Sequence, residues 1–209
     1  MKKILLFFSN GSVGKICIDQ IKKNKKYEKI ISLRLNRNDN KRILLKKIKN
    51  FIFSKKKLDV ILGFANISNL KKNEEIFGII SKLNINLINF YHETSIIDKS
   101  IKFGKGVKVF PGAIINRGCI IKNNVLINTG SIIEHDCFIG QHSQIAPGSV
   151  LAGKVRIGKN TLIGLGTKII QGIKIGNNVI VGAGSVVIKN IPNNTTFIGV
   201  PAKKINEKN

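Results

Sequence analysis

The 209-residue chain has no tryptophan, two tyrosines, four prolines and three cysteines, and it sets only 11 acidic residues against 36 lysines and arginines. Each scarcity excludes something. Cys17, Cys119 and Cys137 are odd in number and lack metal-ligand spacing, which argues against a disulfide framework or a cysteine metal site. No run of 18 or more uncharged apolar residues occurs, so no membrane span is expected. Met1-Lys2-Lys3 followed by Ile4 to Phe8 imitates a signal peptide, but the apolar run is short and breaks at Ser9 to Gly14. A cytoplasmic protein is expected. The acid deficit leaves a net charge of +25, which would suit a nucleic-acid binder. Both halves are similarly basic, however, and no region interleaves arginine with aromatics as RNA-binding faces do. No nucleic-acid partner is expected. The cationic surface favours small anionic ligands.

Residues 1–92 alternate strand and helix patterns. Apolar strands are read at Ile4–Phe8, Ile30–Leu35, Asp59–Phe64 and Asn86–Asn89. Helical spacing is read at Ile16–Lys23, Arg42–Phe51 and Asn73–Leu83. The series predicts a small α/β, Rossmann-like domain with a parallel sheet.

Past residue 96 an internal repeat takes over. Counting in sixes from Ile97 to Pro192 gives sixteen hexapeptides, and every first position is apolar, from Ile97 and Phe103 to Val181 and Val187. Fifth positions are small or β-branched. Fourth positions are Gly, Asn or Asp in thirteen of the sixteen, residue types that tolerate φ > 0 at a corner. Three corners close a triangular coil of three hexapeptides, and coils stack at about 4.8 Å. The expectation is a parallel β-helix over 97–192, with a tail over 193–209. Cys119 and Cys137, one coil apart, should be stacked core thiols.

His135 stands out against this frame. It occupies a third position just before the Asp136 corner, so its side chain should project outward, and two acids, Glu134 and Asp136, flank it. A carboxylate beside an imidazole can fix its tautomer and raise its basicity. Gly153 lies in the same column one coil later, where a bare backbone admits a substrate and an N–H could receive an oxyanion. Arg117 lies in that column one coil earlier and could pair with a substrate carboxylate. His142 sits in a corner column and reads as structural; His92 is given no role.

The segment Asn128-Thr129-Gly130-Ser131-Ile132-Ile133-Glu134-His135-Asp136-Cys137, with Ala146-Pro147-Gly148, Leu151-Ala152-Gly153 and Gly199-Val200-Pro201-Ala202-Lys203, resembles one family. It is the family of sialic-acid-pathway O-acetyltransferases and of bacillosamine- and perosamine-pathway nucleotide-sugar N-acetyltransferases. The resemblance implies a left-handed coil, a homotrimer, acetyl-CoA as co-substrate, and a sugar acceptor in surface-glycan synthesis. It implies His135 as general base, Asp136 as its orienting partner, the Gly153 N–H as oxyanion donor, and Asn128 as an acceptor contact. By the same carry-over, Gln144, Leu165 and Ala183 would line acetyl-CoA. Gly11, Ser12 and Val13 would meet a nucleotide, although Ser9 and Val13 replace the family's Gly and His in that loop. Two other readings compete. A metal-dependent enzyme would need three histidines, and only His135 and His142 lie in the repeat. A non-catalytic β-helix scaffold would not need the His135, Asp136 and Gly153 set.

Overall fold

A computed structural model of the chain describes residues 3–9, 12–23, 27–34, 42, 45–46, 58–63, 70–83 and 85–205. The chain divides into two compact units, Met1–Phe90 and Tyr91–Asn209.

The first unit runs β1 (Lys3–Ser9), α1 (Ser12–Lys23), β2 (Tyr27–Arg34), β3 (Leu58–Gly63), α2 (Leu70–Ser81) and β4 (Asn86–Leu87) among its described residues. The sheet order is β2-β1-β3-β4, and every pairing is parallel. Ile4, Leu5, Leu6 and Phe7 of β1 are all buried. An inner strand of a parallel sheet is covered on both faces, which is why its sequence is a continuous apolar run. Asp59 in β3 is buried and accepts hydrogen bonds from Tyr27 Oη at 2.9 Å and Asn86 Nδ2 at 2.6 Å. These bonds tie β2 and β4 to β3 and satisfy a carboxylate that burial would otherwise destabilise. Burial, with the Asp59 hydrogen bond and charge, pushes the Tyr27 hydroxyl well above its ordinary pKa. Most of the expected 42–51 helix, together with Gly11 and Phe64–Asn66, lies outside the described residues.

The second unit is a left-handed parallel β-helix with three faces. One face stacks the two-residue strands Ile96–Ile97, Ile114–Ile115, Ile132–Ile133, Val150–Leu151, Lys168–Ile169 and Val186–Val187. We call it the Ile132 face. A second, the Phe138 face, stacks Lys102–Phe103, Ile120–Ile121, Phe138–Ile139, Arg156–Ile157 and Lys174–Ile175. The third carries Lys108–Val109, Leu126–Ile127, Gln144–Ile145, Leu162–Ile163 and Ile180–Val181 among its rungs. Along each face, positions three hexapeptides apart pair in register, as in Ile121↔Ile139 and Ile127↔Ile145.

Each column of the repeat has its physical cause. First positions point inward and form one continuous core from Val109 to Val187. All fourteen fourth positions from Gly106 to Gly184 have φ between 53° and 76°. His142 and Lys154 take this corner conformation too, against the usual preference for Gly, Asn or Asp. Fifth positions are small or β-branched, and their polar members must also be satisfied. Ser131, Ser143, Ser149, Thr161 and Thr167 each donate a hydroxyl to a carbonyl of the next coil, at 2.6–3.1 Å. Cys119 and Cys137 occupy the same column, with Sγ 3.1 and 3.3 Å from the corresponding carbonyls of Glu134 and Ala152. Both thiols are core groups.

The strict period ends earlier than the sequence suggested. Lys168 pairs with Val186 at the full interval of three hexapeptides, but Ile175 pairs with Ile191 and Ile180 with Thr196, each two positions short of it. The register therefore slips within the sixteenth hexapeptide, after Val187. The side chains of Asn190 and Asn193 accept from the N–H groups of Lys174 and Asn177, closing the shortened coil. The segment expected as a tail supplies another rung, Thr196–Ile198, and an antiparallel strand, Lys203–Lys204.

Candidate active site

The corner between the Ile132 and Phe138 faces carries a column of residues 117, 135 and 153. The Asp136 N–H donates to the Arg117 carbonyl at 2.9 Å, Lys154 N–H to His135 at 2.9 Å, and Gly172 N–H to Gly153 at 3.0 Å. The scaffold under the site is thus a rigid hydrogen-bonded ladder rather than a loop.

On this ladder His135 Nδ1 lies 2.9 Å from Asp136 Oδ2, with both side chains partly exposed. An ionised carboxylate can only accept, so Nδ1 carries the proton, and in the neutral imidazole Nε2 presents a lone pair. A hydrogen bond from His135, its charge, and the cations Lys154 and Arg117 hold the Asp136 carboxyl below its ordinary pKa. Glu134, expected as a second flanking acid, turns elsewhere: its Oε2 accepts from Asn116 Nδ2 at 3.0 Å. Among the described residues the imidazole has one carboxylate partner, Asp136.

Two glycines make room for the pair. A Cβ on Gly153 would lie 2.5 Å from His135 Nε2 and 2.7 Å from Cε1, so the ring fills the place of the missing side chain. A Cβ on Gly118 would collide with Asp136 Oδ1. Gly118 was not singled out from the sequence as a site residue, although it sits one coil before Asp136, as Gly153 sits one coil after His135. The Gly153 N–H donates to no acceptor among the described residues, while its carbonyl is engaged. It is a backbone donor on the residue over which the imidazole packs.

The remaining expected site residues are placed as follows. Arg117 is exposed and close enough to Asp98 and Asp136 to lower the pKa of both, although Ser100 is the main cause at Asp98. Asn128 is at a different corner of the prism; its Oδ1 accepts from the Thr129 N–H at 2.8 Å. Leu165 and Ala183 are exposed in one column of that same corner. Gln144 is not available beside them. It is only 4% exposed, on a face where the outward side chains of Lys108, Leu126 and Leu162 are covered as well. Gly11 lies outside the described residues, and Ser12 and Val13 begin α1. His142 is a buried corner residue with Nδ1 3.0 Å from Asn124 Nδ2, and His92 closes a local turn through Thr94.

Comparison with known proteins agrees with this architecture. Residues 118–153 match the bacterial transferase hexapeptide (six repeats), and residues 154–189 match the hexapeptide repeat of succinyl-transferase. No curated protein matches the chain. Among solved structures, the acetyltransferase domain of PglB from Neisseria gonorrhoeae is 26% identical, with a TM-score of 0.84 over 98% of this chain and 100% of that one. PerB from Caulobacter crescentus, solved with CoA and GDP-perosamine, is 25% identical, with a TM-score of 0.83 over 97% of each chain. WeeI from Acinetobacter baumannii shares the fold at 20% identity and a TM-score of 0.81, over 98% of this chain and 100% of that one. Fold and repeat define the class: the chain is a hexapeptide-repeat acyltransferase. Its fold and repeats are similar to those of the PglB acetyltransferase domain and of PerB, in line with the resemblance of its motifs to those of sugar acetyltransferases.

Proposed function

We propose that the chain transfers an acetyl group from acetyl-CoA to an amino or hydroxyl group of a sugar, by direct attack and with His135 as general base. The observation that carries this reading is the His135–Asp136 pair with its imidazole packed over Gly153, whose N–H donates to no acceptor among the described residues. With Nδ1–H held by Asp136, Nε2 takes the proton from the acceptor as its nitrogen or oxygen attacks the thioester carbon. The carbonyl electrons move to oxygen, where the Gly153 N–H receives the developing negative charge. Collapse of the tetrahedral species breaks the carbon–sulfur bond, and the imidazolium returns its proton to the leaving sulfur. The PglB domain was solved with acetyl coenzyme A and PerB with CoA, which supports the choice of donor.

The assembly proposed is a homotrimer built on the Ile132 face. Its outward column is Ile96, Ile114, Ile132, Val150, Lys168 and Val186, nearly all apolar, with Ile96 64% exposed. A solvated face would alternate polar residues there. The two corners bordering this face carry His135 on one side and Asn128, Leu165 and Ala183 on the other. Packing copies through it brings the His135 corner of one protomer to the opposite corner of the next, so the exposed Leu165 and Ala183 line acetyl-CoA and Asn128 faces the acceptor.

The first unit serves as the acceptor's nucleotide-binding, Rossmann-like domain in this reading. Its order β2-β1-β3-β4 has a switch point between β1 and β3, and ligands in such sheets bind beyond the carboxyl ends of the strands. In the sequence, Gly11, Ser12 and Val13 come shortly after β1. The test is thiol release from acetyl-CoA against a panel of UDP- and GDP-4-amino-sugars, free sialic acids and CMP-sialic acid, with His135→Ala as control. Release on one acceptor class, lost in the variant, establishes the reading; acetyl-CoA binding without release from any acceptor removes the sugar assignment.

A further inference from the structure

The chain is basic throughout, yet its β-helix does not spread charge evenly. Among the described residues its acids are Glu93, Asp98, Glu134 and Asp136, and all of them lie on the Ile132 face or at the corners bordering it. The outward positions of the Phe138 face carry Lys102, Lys122, Arg156 and Lys174 and no acid. The corner that follows adds Lys105 and Lys159, and all of these cations are exposed. A bias in composition would load every face alike. A face without acid presents a field of one sign, which draws anions.

The same face is grooved along the β-helix axis. Second positions Gly104, Gly140, Gly158 and Gly176 are bare because a Cβ at each would strike the next coil, at Asn123, Gly158, Gly176 and Asn193 respectively. From Gly104 to Gly176 this trough spans four coil rises, about 19 Å. The stretch from Lys102 to Asn177 encloses about 610 Å³, with Ile120 and Phe138 as an apolar wall.

The side chains around the trough chiefly donate hydrogen bonds. Asn123 and Asn177 accept the backbone N–H of Lys105 and Lys159 on Oδ1, at 2.9 and 2.8 Å, which leaves Nδ2 to meet a ligand. Lysine and arginine have no acceptor. Among the described lining side chains, Gln141 alone has an acceptor oxygen not already bonded to backbone. Arg156 stacks on the Phe138 ring with Cζ 4.7 Å from its centroid, and Lys122 Nζ sits 5.8 Å from the same centroid. The ring thus holds a guanidinium and an ammonium beside the trough.

This inventory selects among anions. An extended peptide brings a row of N–H donors that the trough cannot match. The bases of a single strand need open aromatic faces, and Phe138 already carries two cations. A bilayer surface cannot enter a trough. A sugar chain has hydroxyls that turn to accept and ring faces that pack on apolar side chains; an acidic one adds carboxylates that pair with arginine.

We propose that the Phe138 face is a docking groove for an acidic polysaccharide. The chain lies along the β-helix axis, with carboxylates on Arg156, Lys122 and Lys159 and rings against Ile120 and Phe138. The groove is an anchoring surface, separate from the acceptor and acetyl-CoA contacts proposed above, and it stands independently of acetyl transfer.

The test is calorimetric titration of oligogalacturonates of graded length into the full chain, without acetyl-CoA. Binding should tighten with length, weaken as salt rises, and be absent for uncharged maltooligosaccharides. Lys122→Gln/Arg156→Gln should lose at least about tenfold in affinity. Its melting temperature should hold, since both side chains are on the surface. Lys203→Gln/Lys204→Gln removes the same charge from exposed positions on another strand and should change affinity by less than about twofold. Equal losses in the two double variants would reduce the effect to net charge and overturn the proposal, as would the absence of binding by every oligogalacturonate. Polyglutamate, a single-stranded oligonucleotide and phosphatidylglycerol vesicles serve as competitors. If any of them displaces the oligogalacturonate at a lower concentration of charge, the occupant is of another class and the proposal fails. Thiol-release assays run alongside keep the two readings apart. Turnover without oligogalacturonate binding sinks the groove alone, and binding without turnover on any acceptor sinks the acetyltransferase reading alone.

Discussion

The two units bury their cores by different rules. In the first, a handful of long-range strand pairings hold one sheet, and each buried residue has its own neighbours: Asp59 needs Tyr27 and Asn86, which lie 32 and 27 residues away. In the second, the separation between stacked neighbours is three hexapeptides for nearly the whole length, and one column repeats one solution. The difference shows in the chemistry that each can host. A solenoid corner fixes a functional residue against its column neighbours above and below, so a site such as His135 and Gly153 is specified by two residues at a fixed interval. A site at the end of a parallel sheet needs loops whose positions no interval determines.

The comparison can be pressed hardest at the His135 column. His135→Ala should lower kcat by about 10²–10⁴-fold, the usual worth of a positioned general base, without altering the melting temperature. Stopped thiol-release assays read this, and a variant with near-normal kcat would take the base away from position 135.

A core truncation comes next. Ile139→Ala empties a first position in the middle of the stack and should cost about 2–5 kcal/mol, read by denaturant midpoint. Because each coil buries its neighbours, the loss should spread to protection of amides in the adjoining coils. Leu62→Ala in β3 should cost a similar amount but leave β-helix amide exchange untouched. Equal disturbance of both units would erase the contrast between them.

Two glycine variants separate space from conformation. Gly153→Ala puts a methyl where the His135 ring lies, so kcat should drop by at least about tenfold, since a displaced base loses its alignment. Gly148→Ala meets nothing within 4 Å but has φ of 67°. It should cost about 1–2 kcal/mol of stability and leave kcat alone. Paired melts and kinetics on the two variants test the assignment, which exchanged outcomes would reverse.

At the pair itself, Asp136 has its pKa lowered by His135 and the nearby cations. A depressed acid contributes stability above its ordinary pKa, and that contribution disappears as pH falls through the depressed value. Asp136→Asn should therefore melt slightly below wild type at neutral pH and match it in strong acid, a small effect because the group is exposed. The smallest expected effect concerns Arg117. Its replacement by Ala should raise KM for carboxylated acceptors alone, and an unchanged KM on such acceptors would remove the carboxylate contact proposed from its column.

How much was legible in advance differs between the units for the same reason. The period of six located every corner from Gly106 to Gly184, including His142 and Lys154, whose residue types alone would not have suggested φ > 0. It placed His135 over Gly153 and stacked Cys119 on Cys137 from spacing alone. In the first unit the apolar runs marked the strands to within a few positions, because buried parallel strands must be apolar. They said nothing of the Tyr27–Asp59–Asn86 network, which depends on strands that meet only in the folded sheet.

The sequence by itself determined the solenoid, its phase, and the column that unites Arg117, His135 and Gly153, because identical coils stacked on one another turn spacing in sequence into spacing in three dimensions. Tertiary structure decided what the interval could not express. Side-chain direction sent Glu134 to Asn116 and left Asp136 as the carboxylate on the imidazole. Burial withdrew Gln144 from the surface. The last coil, after Val187, closed two positions short of the others. Side chains from neighbouring coils drew Arg156 and Lys122 onto Phe138, which no single hexapeptide contains.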